Sequence, residues 1–245
     1  TYIERGVDGI VIVPLSNEAS VPALKKAHDK GIKITLAGSG IKEDFYETFA
    51  ENDQKELGKL TGEAAREFIE KNMGGKANIA LFAFQSQLPE LSNARVEGFK
   101  EEVQKLPGVK IVAEQDAWAP EMGVQKVGDV ITANPDVNLI WAANEGGTVG
   151  AVMAVKNAGK QGKIFVFGTD ASEQLANFVL DPDNVLQMVT GQQPYEIGRT
   201  ATESLIKSIR GEKVDKHVII HGFTLKRSDP DGAKAFIEDL KQKLK

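Results

Sequence analysis

Short, continuously apolar runs alternate with longer amphipathic segments along the whole sequence, and this alternation leaves few folds open. Runs such as Lys33–Ala37 (KITLA) and Ala77–Phe84 (ANIALFAF) are apolar at successive positions, which is typical of parallel strands covered by helices on both faces. Segments such as Gln54–Asn72 instead carry apolar residues at helical spacing. We therefore predict an α/β protein with doubly wound parallel sheets. The predicted strands are Val7–Val13, Lys33–Ala37, Ala77–Phe84, Val109–Ala113, Leu139–Ala143, Ile164–Gly168, Val185–Val189 and His217–Phe223. The predicted helices are Ser20–Lys30, Gln54–Asn72, Ser92–Leu106, Met122–Ala133, Thr148–Ala158, Ser172–Leu180, Pro194–Arg210 and Pro230–Leu244.

The composition excludes several classes of protein. At 245 residues the chain is long enough to bury a core without a disulfide or a structural metal. Its net charge of −5 argues against a nucleic-acid surface, which needs a basic face. No apolar run approaches the length of a membrane span, and no signal peptide is recognisable. The absence of cysteine suits the periplasm and the cytosol alike.

Polar and planar side chains follow one predicted strand after another. Because ligands of open α/β sheets bind beyond the carboxyl ends of the strands, these side chains are candidates for a binding site. Amide, carboxylate and guanidinium groups offer paired donors and acceptors that match neighbouring hydroxyls, and an aromatic ring can cover the apolar face of a sugar. The pattern predicts the binding of a neutral sugar or polyol. The candidates are Ser39, Gln85, Arg95, Trp118, Asn144, Asp170 and Gln192.

Each candidate also has a purely structural interpretation. Asn144 and Asp170 precede predicted helices and could be N-caps; we favour a ligand role for Asn144 and leave Asp170 open. Arg95 could be a solvated helix residue, Trp118 could be partly buried packing, and Gln192 could be loop polarity. The recurrence of such groups at successive strand ends favours the binding site.

Signals of catalysis are weak. The Gly38-Ser39-Gly40 turn follows a strand but lacks the third glycine of a dinucleotide-binding loop. The sequence contains no Walker loop, no GxSxG elbow and no HExxH motif. Its histidines have no partner at metal-ligand spacing. We therefore expect no enzyme activity, no cofactor and no metal.

Five sequence motifs follow one another along the chain: GVDGIVIVPLSNEA (6–19), NARVEGF (93–99), WAANEGGTVGA (141–151), VFGTDAS (166–172) and TGQQPYEIG (190–198). In this order, they resemble the sugar-binding type of periplasmic binding protein (type 1), the ribose-binding-like solute receptors of ABC importers. The resemblance covers essentially the whole chain.

The resemblance implies a role for most of the candidates. The arginine that grips sugar hydroxyls falls on Arg95, the aromatic residue that stacks on the sugar ring on Trp118, and the aspartate of the GxD motif on Asp170. The asparagine after the fifth predicted strand, Leu139–Ala143, falls on Asn144, and the glutamine at the hinge falls on Gln192.

This sequence departs from the family's pattern at two places. Many relatives carry Asp-Arg where this chain has Gly38-Ser39, which puts pentose specificity in doubt. Where an aromatic residue often precedes the aspartate of the GxD motif, this chain has Thr169.

The family's architecture implies two Rossmann-like lobes joined by three crossovers, which close on the ligand like a hinge. The expected lobes are 1–50 plus 192–221 and 51–191 plus 222–245. Relatives begin with a further strand-helix-strand segment, so we expect the chain to lack that part of the N-terminal lobe. The resemblance also implies a membrane permease as partner, a monomer that binds no nucleic acid, and a periplasmic or lipid-anchored extracellular location.

The main alternative is the effector domain of a LacI-type transcription regulator, which shares the fold. The TGQQP crossover and the lack of an obvious apolar dimer face argue against it. A small-molecule enzyme on a doubly wound fold is a second alternative, and it lacks a nucleophile or base in a persuasive setting.

Overall fold

A computed structural model describes residues 2–243, and the chain folds into two compact units. The N-terminal unit comprises the residues up to Asp53 together with Gln193–His221, and the C-terminal unit comprises Gln54–Gln192 together with the residues from Gly222 onward. The chain therefore passes between the units three times, after Asp53, Gln192 and His221. None of the described helices is long and apolar enough to cross a lipid bilayer.

The elements of the N-terminal unit are β1 (Gly9–Ile12), α1 (Val21–His28), β2 (Lys33–Ala37), β3 (Thr48–Glu51), α7 (Pro194–Ile209) and β9 (His217–Ile219). Its strands form a four-stranded, fully parallel sheet with the order β1-β2-β3-β9. Helix α1 covers one face, where Leu24 packs with Ile34 and Leu36 of β2. Helix α7 covers the other face, where Ile197 and Ala201 pack on the sheet.

The strands of the C-terminal unit are β4 (Lys76–Ala83), β5 (Gly108–Asp116), β6 (Leu139–Ala142), β7 (Phe165–Thr169), β8 (Leu186–Gly191) and β10 (Phe223–Lys226). They form a six-stranded sheet with the order β10-β8-β7-β6-β4-β5. Five of these strands run parallel, and β10 pairs antiparallel with β8 at one edge. The helices are α2 (Gln54–Asn72), α3 (Pro89–Val103), α4 (Pro120–Ala133), α5 (Glu145–Asn157), α6 (Glu173–Leu180) and α8 (Pro230–Lys243).

Both faces of the larger sheet are buried, which explains why its strands read as continuous apolar runs. Successive residues of one strand point to opposite faces, so Phe82 lies in the core formed with α4, α5, α6 and α8, whereas Leu81 lies in the core formed with α2 and α3. Trp141 is fully buried in the second core and stacks on Phe99 of α3, with 4.5 Å between the ring centroids. The α/β fold with parallel sheets flanked by helices, predicted from this pattern, is confirmed.

The structure corrects the prediction for the last strand and adds one strand. The predicted strand His217–Phe223 is two short strands in different sheets, because β9 ends at Ile219 in the N-terminal unit and β10 begins at Phe223 in the other. Strand β3 was not predicted, because its sequence TFAE is short and mixes polar with apolar residues.

Candidate functional site

The carboxyl ends of β4 and β6 mark the point where the order of the larger sheet changes direction. From β4 the chain adds β5 on one side and then returns to place β6, β7 and β8 on the other. Ligands of open α/β sheets bind outside the strand ends at such a switch point. The candidates Arg95, Trp118, Asn144, Asp170 and Gln192 all belong to this unit, and they follow the ends of its strands or lie on the helix after β4.

Arg95 is the buried anchor of this group. It lies in α3 and is only 3% exposed. Its Nη1 donates to the backbone oxygen of Ala143 at 2.6 Å and to Oδ1 of Asp170 at 3.3 Å, and its Nε donates to Oε1 of Gln54 at 2.8 Å. The guanidinium carbon lies 5.1 Å from the centroid of the Phe84 ring. The interpretation of Arg95 as a solvated helix residue is wrong.

Asp170 connects three elements at the strand ends. It directly follows β7 and has a left-handed backbone conformation, with φ of 74°. Its Oδ1 accepts hydrogen bonds from Arg95 and, at 2.6 Å, from Nε2 of Gln192, which follows β8. Its Oδ2 accepts from the backbone N–H of Glu145, the first residue of α5, at 3.0 Å. Ser172, not Asp170, caps the helix that follows, so the carboxylate is free to hold this cluster together.

Asn144 is the N-cap of α5. This is the structural role given above as the alternative to ligand binding. Its Oδ1 accepts from the N–H of Gly147 at 3.2 Å, and its Nδ2 donates to the backbone oxygen of Trp118 at 2.8 Å. It is only half-buried and precedes Glu145, the residue that Asp170 binds. The Trp118 side chain is 38% exposed and forms no aromatic pair within residues 2–243. Trp118 is therefore not a core residue.

Two further candidates lie apart from this cluster. The hydroxyl of the buried Ser39 donates to the backbone oxygen of Pro14, within the N-terminal unit. Gln85 is exposed, and its side chain forms no hydrogen bond to the part of the chain that the structure describes. Their predicted ligand roles stay predictions.

Gln54 is the member of the cluster that sequence reasoning missed. It is the first residue of α2, is 7% exposed, and supplies the acceptor for Arg95 Nε. A signal was present, because Gln54 lies close to the expected boundary between the lobes, at residues 50 and 51. Gln54 follows β3, a strand that its short and mixed sequence TFAE does not predict.

The electrostatics of the cluster suit an uncharged ligand. The positive charge of Arg95 is balanced by Asp170, and the remaining side chains, Gln54, Asn144 and Gln192, are amides. Several polar atoms keep bonding capacity: within residues 2–243, neither Nη2 of Arg95 nor Oε1 of Gln192 makes a hydrogen bond. No group of three or more acidic or histidine residues in that range could hold a metal ion. The cluster can thus bind hydroxyl groups.

A cavity of about 370 Å³ in the same unit lies elsewhere. Its walls include Phe68 of α2 and Met188 of β8, near the amino end of that strand. Arg227 also lines it, but this guanidinium is already bonded to the backbone oxygens of Phe178, Asp181 and Leu186. Because the Arg95 cluster lies at the opposite strand ends and carries the convergent polar groups, we place the candidate site there.

Comparisons with known proteins agree with this architecture. Residues 1–213 match the family model described as periplasmic binding protein domain. The chain is 29% identical to the ABC transporter periplasmic-binding protein YphF of Escherichia coli (strain K12), over 87% of this chain and 67% of that protein. It is 26% identical to the ribose import binding protein RbsB of Bacillus subtilis (strain 168), over 88% of this chain and 68% of that protein.

A solved structure of a relative has the same fold. The periplasmic solute binding protein of an ABC transporter from Actinobacillus succinogenes 130z, with bound D-allose, superposes with a TM-score of 0.85 at 26% identity. The match covers 94% of this chain and 82% of that one. The family model spans most of the sequence. The sheet order and the strand-end site described above are structural observations that do not depend on that sequence match. The chain belongs to the periplasmic binding protein family.

Proposed function

We propose that this chain is the substrate-binding protein of an ABC-type importer and that it binds a neutral sugar or polyol. The observation that carries the proposal is the hydrogen-bonded cluster of Arg95, Asp170 and Gln192 at the carboxyl ends of neighbouring strands. Asn144 and Trp118 lie next to it. Arg95, Trp118, Asn144, Asp170 and Gln192 are the proposed ligand-binding residues, and Ser39 and Gln85 are retained as further candidates.

The cluster can recognise hydroxyl groups because it combines fixed geometry with unused bonding capacity. Arg95 is held by Ala143, Asp170 and Gln54, so its Nη2 points in one direction as a charged donor. Oε1 of Gln192 is an acceptor held in place by the bond that Nε2 makes to Asp170. A sugar hydroxyl both donates and accepts, so it satisfies either group. The exposed ring of Trp118 offers an apolar face for the carbon side of the sugar.

Selectivity follows from the cost of leaving buried groups unpaired. A ligand that lacks a matching hydroxyl would leave a buried donor or acceptor unsatisfied, which costs about 1–3 kcal/mol per group. An acidic sugar would bring a second negative charge close to Asp170, whose partner Arg95 is already paired. We therefore expect neutral ligands to bind and sugar acids to be rejected.

The relatives support this reading. They are named as binding proteins, one of them for ribose import, and one solved structure contains D-allose. Because these relatives serve importers, the effector domain of a transcription regulator is not favoured. Our proposal includes a membrane permease as partner, a monomeric state, no enzyme activity and a location outside the cytoplasmic membrane, in the periplasm or on a lipid anchor. Hinge closure of the lobes stays a prediction.

Calorimetric titration with a panel of sugars, polyols and sugar acids tests the proposal. For the neutral ligand that binds, Arg95→Ala and Asn144→Ala should each weaken binding by about 1.5–3 kcal/mol, the range for hydrogen bonds to charged or buried groups. Arg199→Ala, an exposed arginine of α7 paired with Glu196 and Glu203, is the matched control and should bind normally. Unchanged affinity in both site variants would refute the assignment of the site.

A further inference from the structure

Gln54 holds the guanidinium of Arg95 at its Nε. Its side-chain oxygen is the acceptor for Arg95 Nε, at 2.8 Å, and both residues are buried. The remaining bonds of Arg95 all come from Nη1, which reaches Ala143 and Asp170. Because the guanidinium is planar, contacts at Nε and Nη1 together fix its plane. The direction in which the N–H groups of Nη2 point is then fixed as well.

The helix packing makes the position of Gln54 rigid relative to Arg95. Helices α2 and α3 touch backbone to backbone, since a methyl group at Gly58 would lie 2.0 Å from the carbonyl oxygen of Arg95. A methyl group at Gly98 would lie 2.1 Å from the carbonyl oxygen of Lys55. Gln54 precedes Gly58 by one helical turn, so its side chain lies over the same face of α2. The two glycines therefore set the distance that the Gln54–Arg95 hydrogen bond spans.

We propose that Gln54 is a positioning residue for sugar binding: it sets the plane of the Arg95 guanidinium and thereby the direction in which Nη2 meets a ligand hydroxyl. This inference rests on the proposed function and adds to it a residue that acts through Arg95. Without the Gln54 oxygen, the buried Nε–H of Arg95 has no acceptor and the guanidinium can rotate about its remaining bonds.

Two substitutions at Gln54 separate positioning from packing. Gln54→Leu keeps the approximate size of the side chain and removes the acceptor, whereas Gln54→Glu keeps an acceptor oxygen at the same reach. We expect Gln54→Leu to weaken sugar binding by about 5–150-fold, the ratio that corresponds to one unsatisfied buried group. Gln54→Glu should stay within about threefold of the parent protein, since a carboxylate accepts from Nε–H as an amide does. Gln104→Leu, at an exposed glutamine after α3, is the matched control and should bind normally.

A double-mutant cycle with Arg95→Lys tests whether Gln54 acts through Arg95. Lysine has no Nε–H and no planar fork, so Gln54→Leu should have little further effect on affinity in that background. An equal loss in both backgrounds would overturn the inference, as would unchanged affinity in Gln54→Leu alone. If Gln54→Leu unfolds, the failure of Gln54→Glu to bind like the parent protein overturns it instead.

The ¹H–¹⁵N signal of the Arg95 side-chain Nε gives a readout that does not depend on a sugar. We expect slow hydrogen exchange at this site in the parent protein and in Gln54→Glu, and fast exchange in Gln54→Leu. Fast exchange in the parent protein would overturn the positioning role. If no sugar or polyol binds the parent protein at all, the proposed function fails, and this signal alone decides whether Gln54 fixes Arg95.

Discussion

Asp170 combines a strained backbone with the central contacts of the candidate site. A φ of 74° is disfavoured for residues with a Cβ, although Asp and Asn tolerate it better than most. The conformation persists where its carboxylate binds Arg95, Gln192 and the first N–H of α5. Strain that is held in place by surrounding contacts is common at functional sites.

We predict that Asp170→Asn weakens sugar binding by about 1.5–3 kcal/mol, because the amide keeps the shape and the left-handed backbone but removes the charge that balances Arg95. Isothermal titration measures the effect. Asn184→Asp is the control, since Asn184 is the other non-glycine residue with positive φ between residues 2 and 243 and lies away from the cluster, bonded to Gln187. Equal affinities of Asp170→Asn and the parent protein would show that the charge is not needed.

The two tryptophans of the chain report on different environments. Trp141 is fully buried against Phe99, whereas Trp118 is 38% exposed beside Asn144. We therefore expect a sugar-induced change in fluorescence to come from Trp118. Trp118→Phe should keep the aromatic face and abolish the change, and Trp118→Ala should also lower affinity by about 0.5–1.5 kcal/mol while stability changes by no more than about 0.5 kcal/mol. A persistent fluorescence change in Trp118→Phe would mean that Trp141 responds instead.

At the scale of single residues, the sequence could indicate which side chains meet but not how each is bonded. Asp170 and Gln192 follow from the rule that parallel strands end at one edge of a sheet, and Arg95 from its position at the start of the helix predicted after one of those strands. The dual contact of Asn144, to Gly147 and Trp118, depends on the course of the loop before α4 and has no sequence signature. Gln54 was missed because it follows β3, which has no clear strand pattern, and its bond to Arg95 depends on helix packing across Gly58 and Gly98, which periodicity does not reveal.

Among the elements, α4 and α5 pack unusually closely. A methyl group at Gly150 of α5 would lie 2.6 Å from both the Cα of Gly123 and the carbonyl oxygen of Pro120, both in α4. This contact positions the start of α5, which carries Asn144 and the N–H bound by Asp170. The close packing of α4 against α5 therefore fixes the position of the α5 N-terminus in the candidate site.

We predict opposite effects of the same substitution at two glycines of this helix pair. Gly150→Ala should lower the free energy of unfolding by about 1–3 kcal/mol, because the backbone of α4 cannot yield easily. Gly128→Ala, in α4 with no atom within 4 Å of the new methyl group, should raise it by about 0.4–1 kcal/mol. Urea unfolding followed by tryptophan fluorescence measures both, since both tryptophans belong to the C-terminal unit. A Gly150→Ala variant as stable as the parent protein would contradict the packing argument.

The elements that the sequence predicted best are those with a long, unambiguous pattern. Helix α2 and strand β2 have the predicted bounds, and the other helices begin or end within a few residues of them. The prediction failed where strands are short: β3 has four residues, β9 has three, and β9 and β10 were merged into one. Hydropathy cannot show that the chain changes unit between Ile219 and Phe223, because both strands and the residues between them are partly apolar.

For the whole molecule, carboxyl groups with shifted pKa values make the stability of the two units depend differently on pH. Burial raises the pKa of Glu51 in β3, against the opposing hydrogen bond with His217. In the same unit, the ion pair with Lys42 lowers the pKa of Glu18. In the C-terminal unit, the hydrogen bond from Lys156 lowers the pKa of Asp181.

The direction of each pKa shift determines the pH range over which the group changes the stability of its unit. A carboxyl group whose pKa is raised by folding, such as Glu51, stabilises the folded unit when the pH is below its unfolded-state pKa of 4.5. This contribution is lost as the pH rises through the pKa of the folded state. A lowered pKa acts in the opposite sense, so the contribution of Asp181 is lost only as the pH falls below 3.8. Of these groups, Glu51 alone therefore changes the stability of its unit between pH 7 and 4.5.

We predict that acidification from pH 7 to 4.5 increases the protection of amides in the N-terminal unit from hydrogen exchange, because Glu51 becomes protonated. In the C-terminal unit, Asp181 should cause no change in amide protection over this pH range. Hydrogen exchange with mass spectrometry, corrected for the intrinsic pH dependence of exchange, measures each unit separately. Glu51→Gln should remove the gain, because a neutral amide cannot titrate, while Lys156→Met should alter only the loss of C-terminal protection below pH 3.8. An N-terminal unit of Glu51→Gln that still gains protection would show that another group drives the response.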